Sequence, residues 1–394
     1  MPASRPSPTQ TMQGIEVPVS NVDPKSFFRL TRRQRVPQKT FTYAGLGLVD
    51  HVTIRQAGII SGVVVKFAGS LTVTPGTGTV ASTPNWCQNL LKIAKFSANG
   101  QSNLINCSGQ LLKAREIMQR GDLTDRGVPA NIGGASPGTA VTQGSLKLNT
   151  ESWGVGQNVT AIGAGTYDVE LEWYVPIAFD DITLTGAIFA QTSATALDLE
   201  LDWAAQSDLF TLTGNATVAL TGTVIASARL YTIPEGPKGV IVPDLSVFHS
   251  LIQSREVAIG NTVNEVRLAG QGVGKQLMRV FGQLWNGAGA GAPLAVNNTN
   301  FGQIGWRFGS NDTPELWQDG RQHSFEVEKT FDCDMCTYQG IFAIDFASEN
   351  AFRDTVDEGT ATELRLVLEV PSAVTLTSPV LQYVQETVSI GSAA

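Results

Sequence analysis

The chain is short of charge, of cysteine and of long apolar runs. Charged residues make up 16% of its 394 positions and aromatics 8%. Disordered chains combine high charge with few hydrophobics, and here hydrophobic residues reach 42%. Four cysteines (Cys87, Cys107, Cys333, Cys336) are too few for a disulfide framework at this length. Three scattered histidines, His51, His249 and His323, define no ligand spacing. There is no P-loop and no G-x-G-x-x-G opening a helix. The longest apolar stretch, Ala57 to Ala68, is broken by Lys66 and falls short of the roughly 20 residues a spanning helix needs. The start of the chain, with Pro2, Pro6 and Pro8 and no apolar run, reads as no signal peptide, so synthesis in a cytoplasm is expected. The expectation is a protein that is not an enzyme, with no catalytic, cofactor-binding or metal residues and no cofactor.

What is abundant is turn-forming residues: Gly 40 and Pro 18, with dense Ser and Thr. That composition suits many short strands joined by turns. Tyr167 to Val175 alternates Val169, Leu171 and Trp173 with carboxylates, and Leu197, Leu199, Leu201 and Trp203 repeat the pattern. Gly62 to Phe67 and Leu90 to Phe96 read as further strands. Gln110 to Arg120 reads as the clearest helix, with Ser108 as N-cap and Gly121 at its end. Later strands are expected at Gln276 to Trp285, Phe301 to Phe308, His323 to Phe331, Tyr338 to Phe346 and Glu363 to Val370. The length suits two or three domains.

The net charge of −8 hides an asymmetry. Residues 1–40 hold seven Lys/Arg against Glu16 and Asp23, a net of +5, leaving 20 basic and 33 acidic groups, a net of −13, on the other 354. Met1 to Gln13 reads as mobile. Asp23 and Pro24 can open a helix ending at Pro37, with Phe27, Phe28 and Leu30 on one side and Lys25, Arg29, Arg32, Arg33 and Arg35 around it. A basic amphipathic helix of this kind either lies on an anionic lipid surface or packs on the body with its arginines solvated. The same cluster can meet packaged nucleic acid; paired phenylalanines favour lipid.

The two halves echo each other. YDVELEWYVPIA (167–178) parallels TELRLVLEVPSA (362–373), Ile93 to Gly100 loosely parallels Ile304 to Asn311, and Gly62 to Gly69 parallels Leu277 to Gly282. Their common order predicts a duplicated β-sandwich. The expected division is a basic arm at 1–40, a first barrel at 41–234, a second at 235–374 and an extended C-terminal arm at 375–394.

Glu172-Trp-Tyr-Val-Pro-Ile-Ala followed by Asp181 to Gln191 resembles the tectivirus major capsid proteins, in which a "WVPLA" strand runs into a "DLTGA" turn-helix segment. Gly239 to Leu251 is similar to their lead into the second barrel. The resemblance implies an all-β chain of two tandem eight-stranded jelly rolls (a double jelly roll) with short helices and a basic N-terminal helix. It implies a homotrimer that tiles an icosahedral bacteriophage shell, contacts neighbouring trimers, vertex (penton) and minor capsid proteins, and turns its N-terminal arm towards an internal membrane. The membrane-contacting residues would be Lys25, Phe27, Phe28, Arg29, Arg32, Arg33 and Arg35, with no specific nucleic-acid recognition. The expected location is the virion capsid, assembled in a bacterial host cytoplasm.

Two features invite other readings. Cys333-Asp-Met-Cys336 is a CxxC without a second ligand pair, better read as buried small hydrophobes. The pairs Asp180/Asp181 and Asp332/Asp334 read as turn carboxylates rather than calcium ligands. The rival reading of the whole chain is a carbohydrate-binding β-sandwich spike or adhesin, with Trp285, Trp306 and Trp317 as its sugar platforms.

Overall fold

In the computed structural model, residues 9–12, 15–18, 26–83, 85–98, 101–120, 161–191, 196–236, 239–268, 274–287, 292–308, 316–332, 334–347, 355–357 and 364–390 are described. A hairpin, β1 (Thr9–Met12) and β2 (Ile15–Pro18), precedes a short helix, α1 (Ser26–Leu30). The first barrel runs through β3 (Arg33–Thr42), β4 (Val49–Thr53), β5 (Ile59–Thr74), β6 (Val80–Ser82), α2 (Trp86–Asn89), β7 (Leu91–Ala98), β8 (Gln101–Cys107) and α3 (Gly109–Arg120). It continues with β9 (Gly165–Pro176), β10 (Ile188–Phe189), β11 (Leu197–Trp203), α4 (Gln206–Leu209), β12 (Phe210–Leu212) and β13 (Thr217–Tyr231). A short pair, β14 (Glu235–Gly236) and β15 (Gly239–Val240), leads to the second barrel. That barrel holds β16 (Val247–Glu256), β17 (Val263–Arg267), β18 (Lys275–Asn286), β19 (Ala292–Pro293), β20 (Gln303–Phe308) and β21 (Leu316–Gln318). After helices α5 (Gly320–Phe331) and α6 (Met335–Gln339) come β22 (Ile341–Asp345), β23 (Val356–Asp357), β24 (Leu364–Glu369) and β25 (Val380–Ile390).

The pairing is that of a jelly roll, twice. Take the eight long strands of the first barrel in chain order: β3, β4, β5, β7, β8, β9, β11, β13. One sheet runs β3-β13-β5-β9, the first, eighth, third and sixth. The other runs β4-β11-β7-β8, the second, seventh, fourth and fifth. The second barrel repeats both orders with β16-β25-β18-β22 and β17-β24-β20-β21. Two four-stranded antiparallel sheets in this order form a double Greek key. The expected double jelly roll is therefore present, with eight principal strands in each barrel.

Alternation explains why these segments are strands. Tyr167, Val169, Leu171 and Trp173 of β9 are buried while Asp168 and Glu170 face out, and β11 behaves likewise. The inward rings meet in the first core, where Tyr43 and Trp203 lie 5.0 Å apart, and Trp173 and Trp203 6.1 Å. Each indole N–H reaches an acceptor, Trp203 Nε1 to Asp50 Oδ2 at 2.8 Å and Trp173 Nε1 to the Gln88 carbonyl at 3.2 Å, as buried indoles require.

Several expectations need correction. Residues 9–12 are paired with β2 rather than loose. The N-terminal helix stops at Leu30 because β13 offers an edge on which Arg33 to Thr42 pair as a strand, so the arm does not extend to residue 40. Pro37 is accommodated on this edge strand beside a register shift, where a missing N–H costs no ladder bond. His323 to Phe331 is a helix: His323, Val327 and Phe331 repeat every four residues on its buried face, and Asp319 caps it by accepting from the Gln322 N–H at 2.8 Å. The strand expected from Tyr338 starts at Ile341, after α6. The C-terminal arm is instead β25, between β16 and β18 in the middle of a sheet. Of the internal echoes, β5 with β18 and β7 with β20 are topological equivalents. The Val-Pro-x-Ala pair is not, because β9 is a sixth strand and β24 a seventh. Asp181 to Gly186 is a turn rather than a turn and helix.

Candidate assembly site: the joint between the barrels and the cationic end

The barrels are joined edge to edge. β8, the fifth strand of the first, runs parallel to β16, the first strand of the second, with Leu251 opposite Ile105 and Ile252 opposite Asn106. The Ser108 N–H donates to Gln253 Oε1 across the seam at 2.7 Å. So short a ladder would slip without further ties, and α3 supplies them. Every residue from Gly109 to Met118 is buried, including Lys113, Arg115 and Glu116, which charged side chains tolerate only when paired.

Arg115 leaves the first barrel and enters the second. Its Nε donates to Glu386 Oε1 on β25 at 2.9 Å, its Nη1 to Gln119 Oε1 and its Nη2 to the Phe179 carbonyl. Glu386 is fully buried and also faces His249 Nε2 of β16 at 2.9 Å and Arg279 Nη1 of β18 at 3.6 Å. Arg279 Nε donates to Asp345 Oδ1 of β22 at 3.0 Å. The Phe179 ring, just past β9, lies under both guanidiniums, 6.0 Å from Arg115 and 5.2 Å from Arg279. Burial by itself would raise the Glu386 pKa, but Arg115, His249 and Arg279 outweigh it and hold the carboxyl well below the usual range. Both His249 nitrogens face acceptors, Glu386 Oε1 and the Pro176 carbonyl at 3.1 Å. Burial is the largest influence on its pKa and pulls it down, while Glu386 pulls it back up. Four strands of one barrel and one helix of the other thus share one buried charge cluster. Its action is mechanical: it fixes how the barrels sit.

The expected membrane-contacting residues divide. Lys25 lies outside the described residues. Phe27 is withdrawn from any surface: it is fully buried with Ile59, Ala178, Leu184 and Leu245. Phe28 and Leu30 remain exposed, at 47% and 56%, and Arg29, Arg32, Arg33 and Arg35 are exposed around them. Arg33 and Arg35 sit on β3, and Arg35 reaches Glu172 at 3.3 Å. Of the other candidates, Cys336 is buried and its thiol donates to the Ile341 carbonyl, while Cys333 lies outside the described residues. Asp180 accepts from the Ile182 and Thr183 N–H groups, and Asp181 accepts from Arg229. Among the described residues no three potential ligands cluster as a metal site would. Trp306 stacks edge-on against Phe308 and Phe346, at 4.8 and 5.1 Å, and is no free sugar platform. The Trp285 N–H donates to Gln283, and the Trp317 side chain lies outside the described residues.

Two jelly rolls of one topology, held together by a buried joint, define a viral coat subunit of the double jelly-roll class. A family model described as the N-terminal part of the P3 major capsid protein matches residues 30–231, just over half the chain, and the chain belongs to that family. The match contains Glu172 to Gln191, while Gly239 to Leu251 lies beyond it. The major capsid protein P3 of Enterobacteria phage PRD1 is 23% identical over 250 residues, 59% of this chain. The chain matches 60% of that relative's length. Among solved structures, the STIV MCP aligns with a TM-score of 0.62 at 14% identity, covering 91% of this chain and 97% of that one. The PBCV-1 virus capsid aligns at 0.55 and 12%, covering 92% and 95%. The Faustovirus major capsid protein aligns at 0.53 and 11%, covering 91% and 89%. These likenesses share the fold.

Proposed function

We propose that this chain is the major capsid protein of an icosahedral bacteriophage with an internal membrane, working as a homotrimer packed against neighbouring trimers, vertex proteins and minor capsid proteins. The observation that carries the reading is the repetition of one eight-strand order in two barrels fused at a rigid joint. Such a subunit gives three copies six similar barrels, a shape that tiles a hexagonal lattice. The role is structural, and its working parts are packed faces. In domain terms residues 1–32 form the basic arm, 33–231 the first barrel and 247–390 the second.

The cationic end is the membrane-facing part. Arg29, Arg32, Arg33 and Arg35 each contribute about 1 kcal/mol near an anionic leaflet, and exposed Phe28 and Leu30 add apolar contact that a bare phosphate backbone would not use. Repetition over a shell multiplies a weak contact into firm binding.

Two measurements test this. Sedimentation of the purified protein at micromolar concentration should give three times the 41.9 kDa chain mass; a persistent monomer contradicts the trimer. Flotation with phosphatidylglycerol vesicles should be strong for the wild type and lost in Phe28→Ser/Arg29→Ser/Arg32→Ser, with the trimer intact. No flotation of the wild type would sink the membrane role and leave the capsid role standing.

A further inference from the structure

At one end of the first barrel β3 and β5 begin while β13 and β9 finish: Tyr231 lies opposite both Arg33 and Ile59, and Pro176 lies opposite Gly62. Two segments leave that end. One is α1, which leads into β3; the other is the loop of residues 177–187, which joins β9 to β10. They pack on one another, since Phe27 of α1 shares a buried cluster with Ala178, Leu184 and Ala187 of the loop and with Tyr231 of β13.

Both segments are braced. Thr31 Oγ1 donates to the Thr232 carbonyl at 2.6 Å and the Arg32 N–H to Thr232 Oγ1 at 2.8 Å, which ties α1 to the end of β13. In the loop, Asp180 accepts from the Ile182 and Thr183 N–H groups at 3.0 and 3.1 Å. Asp181 accepts from Arg229 Nη1 and from the Tyr174 hydroxyl, both at 2.8 Å. Leu184 takes a φ of 60°, a left-handed conformation that a non-glycine residue keeps only when its surroundings enforce it. Gly186, at a φ of 79°, lies so close to β16 that a Cβ there would come within 2.7 Å of the His249 Cβ.

One apolar side chain of this loop is left outside. Ile177, Ala178, Phe179, Leu184 and Ala187 are buried, whereas Ile182 is 79% exposed, the most exposed of the large hydrophobic residues described. Phe28 and Leu30 of α1 are exposed at the same end, with Arg29, Arg32 and Arg33 around them. The loop adds no opposing charge, because Asp180 is buried on its own backbone bonds and Asp181 is paired with Arg229. Apolar tips among cations suit an anionic bilayer, where the tips enter the acyl boundary and the arginines meet lipid phosphates. A polyanion in water would engage the arginines and leave Ile182 without a partner.

We infer that the loop of residues 177–187 is a second membrane-inserting element, with Ile182 as its tip, and that it enters an anionic leaflet together with α1. The inference rests on the membrane-facing role proposed above and extends it from one segment to two. Because the loop is braced against β16 through Gly186, insertion there orients the body of the subunit as well as its basic arm.

The test uses the full chain and phosphatidylglycerol vesicles. Ile182→Ser should weaken vesicle partitioning by about 10-fold or more, as loss of one buried isoleucine side chain does, with an unchanged melting temperature. Ile182→Leu should bind as the wild type does. An environment-sensitive fluorophore on Ile182→Cys, in a Cys333→Ser background where Cys87, Cys107 and Cys336 are buried, should shift to the blue on vesicle addition. Lipids spin-labelled in the acyl chain should quench it. The same fluorophore on Val257→Cys, 67% exposed in the loop after β16, should not shift. If the wild type floats but Ile182→Ser binds unchanged, or the fluorophore on Ile182→Cys stays unshifted, the inference is overturned while the membrane role of α1 stands. A wild type that does not float overturns both.

Discussion

Replacing Glu386 with glutamine removes the carboxylate that Arg115, His249 and Arg279 share. The consequence is set less by the bonds lost than by the cations left behind, since the Arg115 and Arg279 side chains are 1% and 4% exposed. Removing one partner of a buried ion pair costs about 3–5 kcal/mol. Arg279 keeps Asp345, and Arg115 keeps Gln119 and the Phe179 carbonyl, which places Glu386→Gln near the lower end, about 3 kcal/mol. Urea unfolding followed by tryptophan fluorescence should show an earlier midpoint at unchanged slope. Arg115→Met/Glu386→Met should recover most of the loss, because exchanging a whole buried pair for apolar groups is often neutral, and the double-mutant cycle should report coupling of about 2 kcal/mol. A loss below about 1 kcal/mol in Glu386→Gln would refute the view that this cluster holds the barrels together.

Three further outcomes follow from local geometry. His323 is neutral when folded, donating from Nδ1 to Gln318 Oε1 and accepting at Nε2 from the Ala343 N–H; burial pushes its pKa down to about 4, against about 6.5 unfolded. The unfolded chain therefore takes the proton first, so stability should fall by roughly 3 kcal/mol between pH 6.5 and 4 and then level, and His323→Gln should flatten that part of a stability–pH curve. Gly62→Ala would drive a methyl into the Tyr174 ring, which Arg229 stacks on at 4.2 Å, so a melting curve should show a loss of about 1–3 kcal/mol. Asn264 holds the turn before β17 through the Gly260, Thr262 and Leu368 carbonyls; Asn264→Ala should cost about 2 kcal/mol by chemical denaturation.

What the sequence makes legible is what local physics decides. β9 and β11 follow from strict alternation over one solvent-facing side, and α3 from the Ser108 cap, whose hydroxyl accepts from the Leu111 N–H at 3.4 Å. β25 is hidden because Gln385, Glu386 and Thr387 are consecutive polar residues in a strand that is buried from Tyr383 to Val388. Its outer face meets the other barrel, so the usual polar-out rule misleads. α5 is hidden because Phe325, Val327 and Phe331 mimic a strand's spacing while its packing face repeats every four residues. The Val-Pro-x-Ala echo misleads because proline ends a strand wherever that strand sits in the topology. The joint itself is invisible: Arg115 and Glu386 are 271 positions apart, and no spacing rule connects them.

The most direct test of the central claim is a cryo-electron microscopy reconstruction of the purified oligomer. Six barrels around a three-fold axis, with the two of each chain held together through α3 and the Glu386 cluster, is the arrangement the account predicts. A two-fold dimer, or barrels splayed apart within one chain, would contradict it.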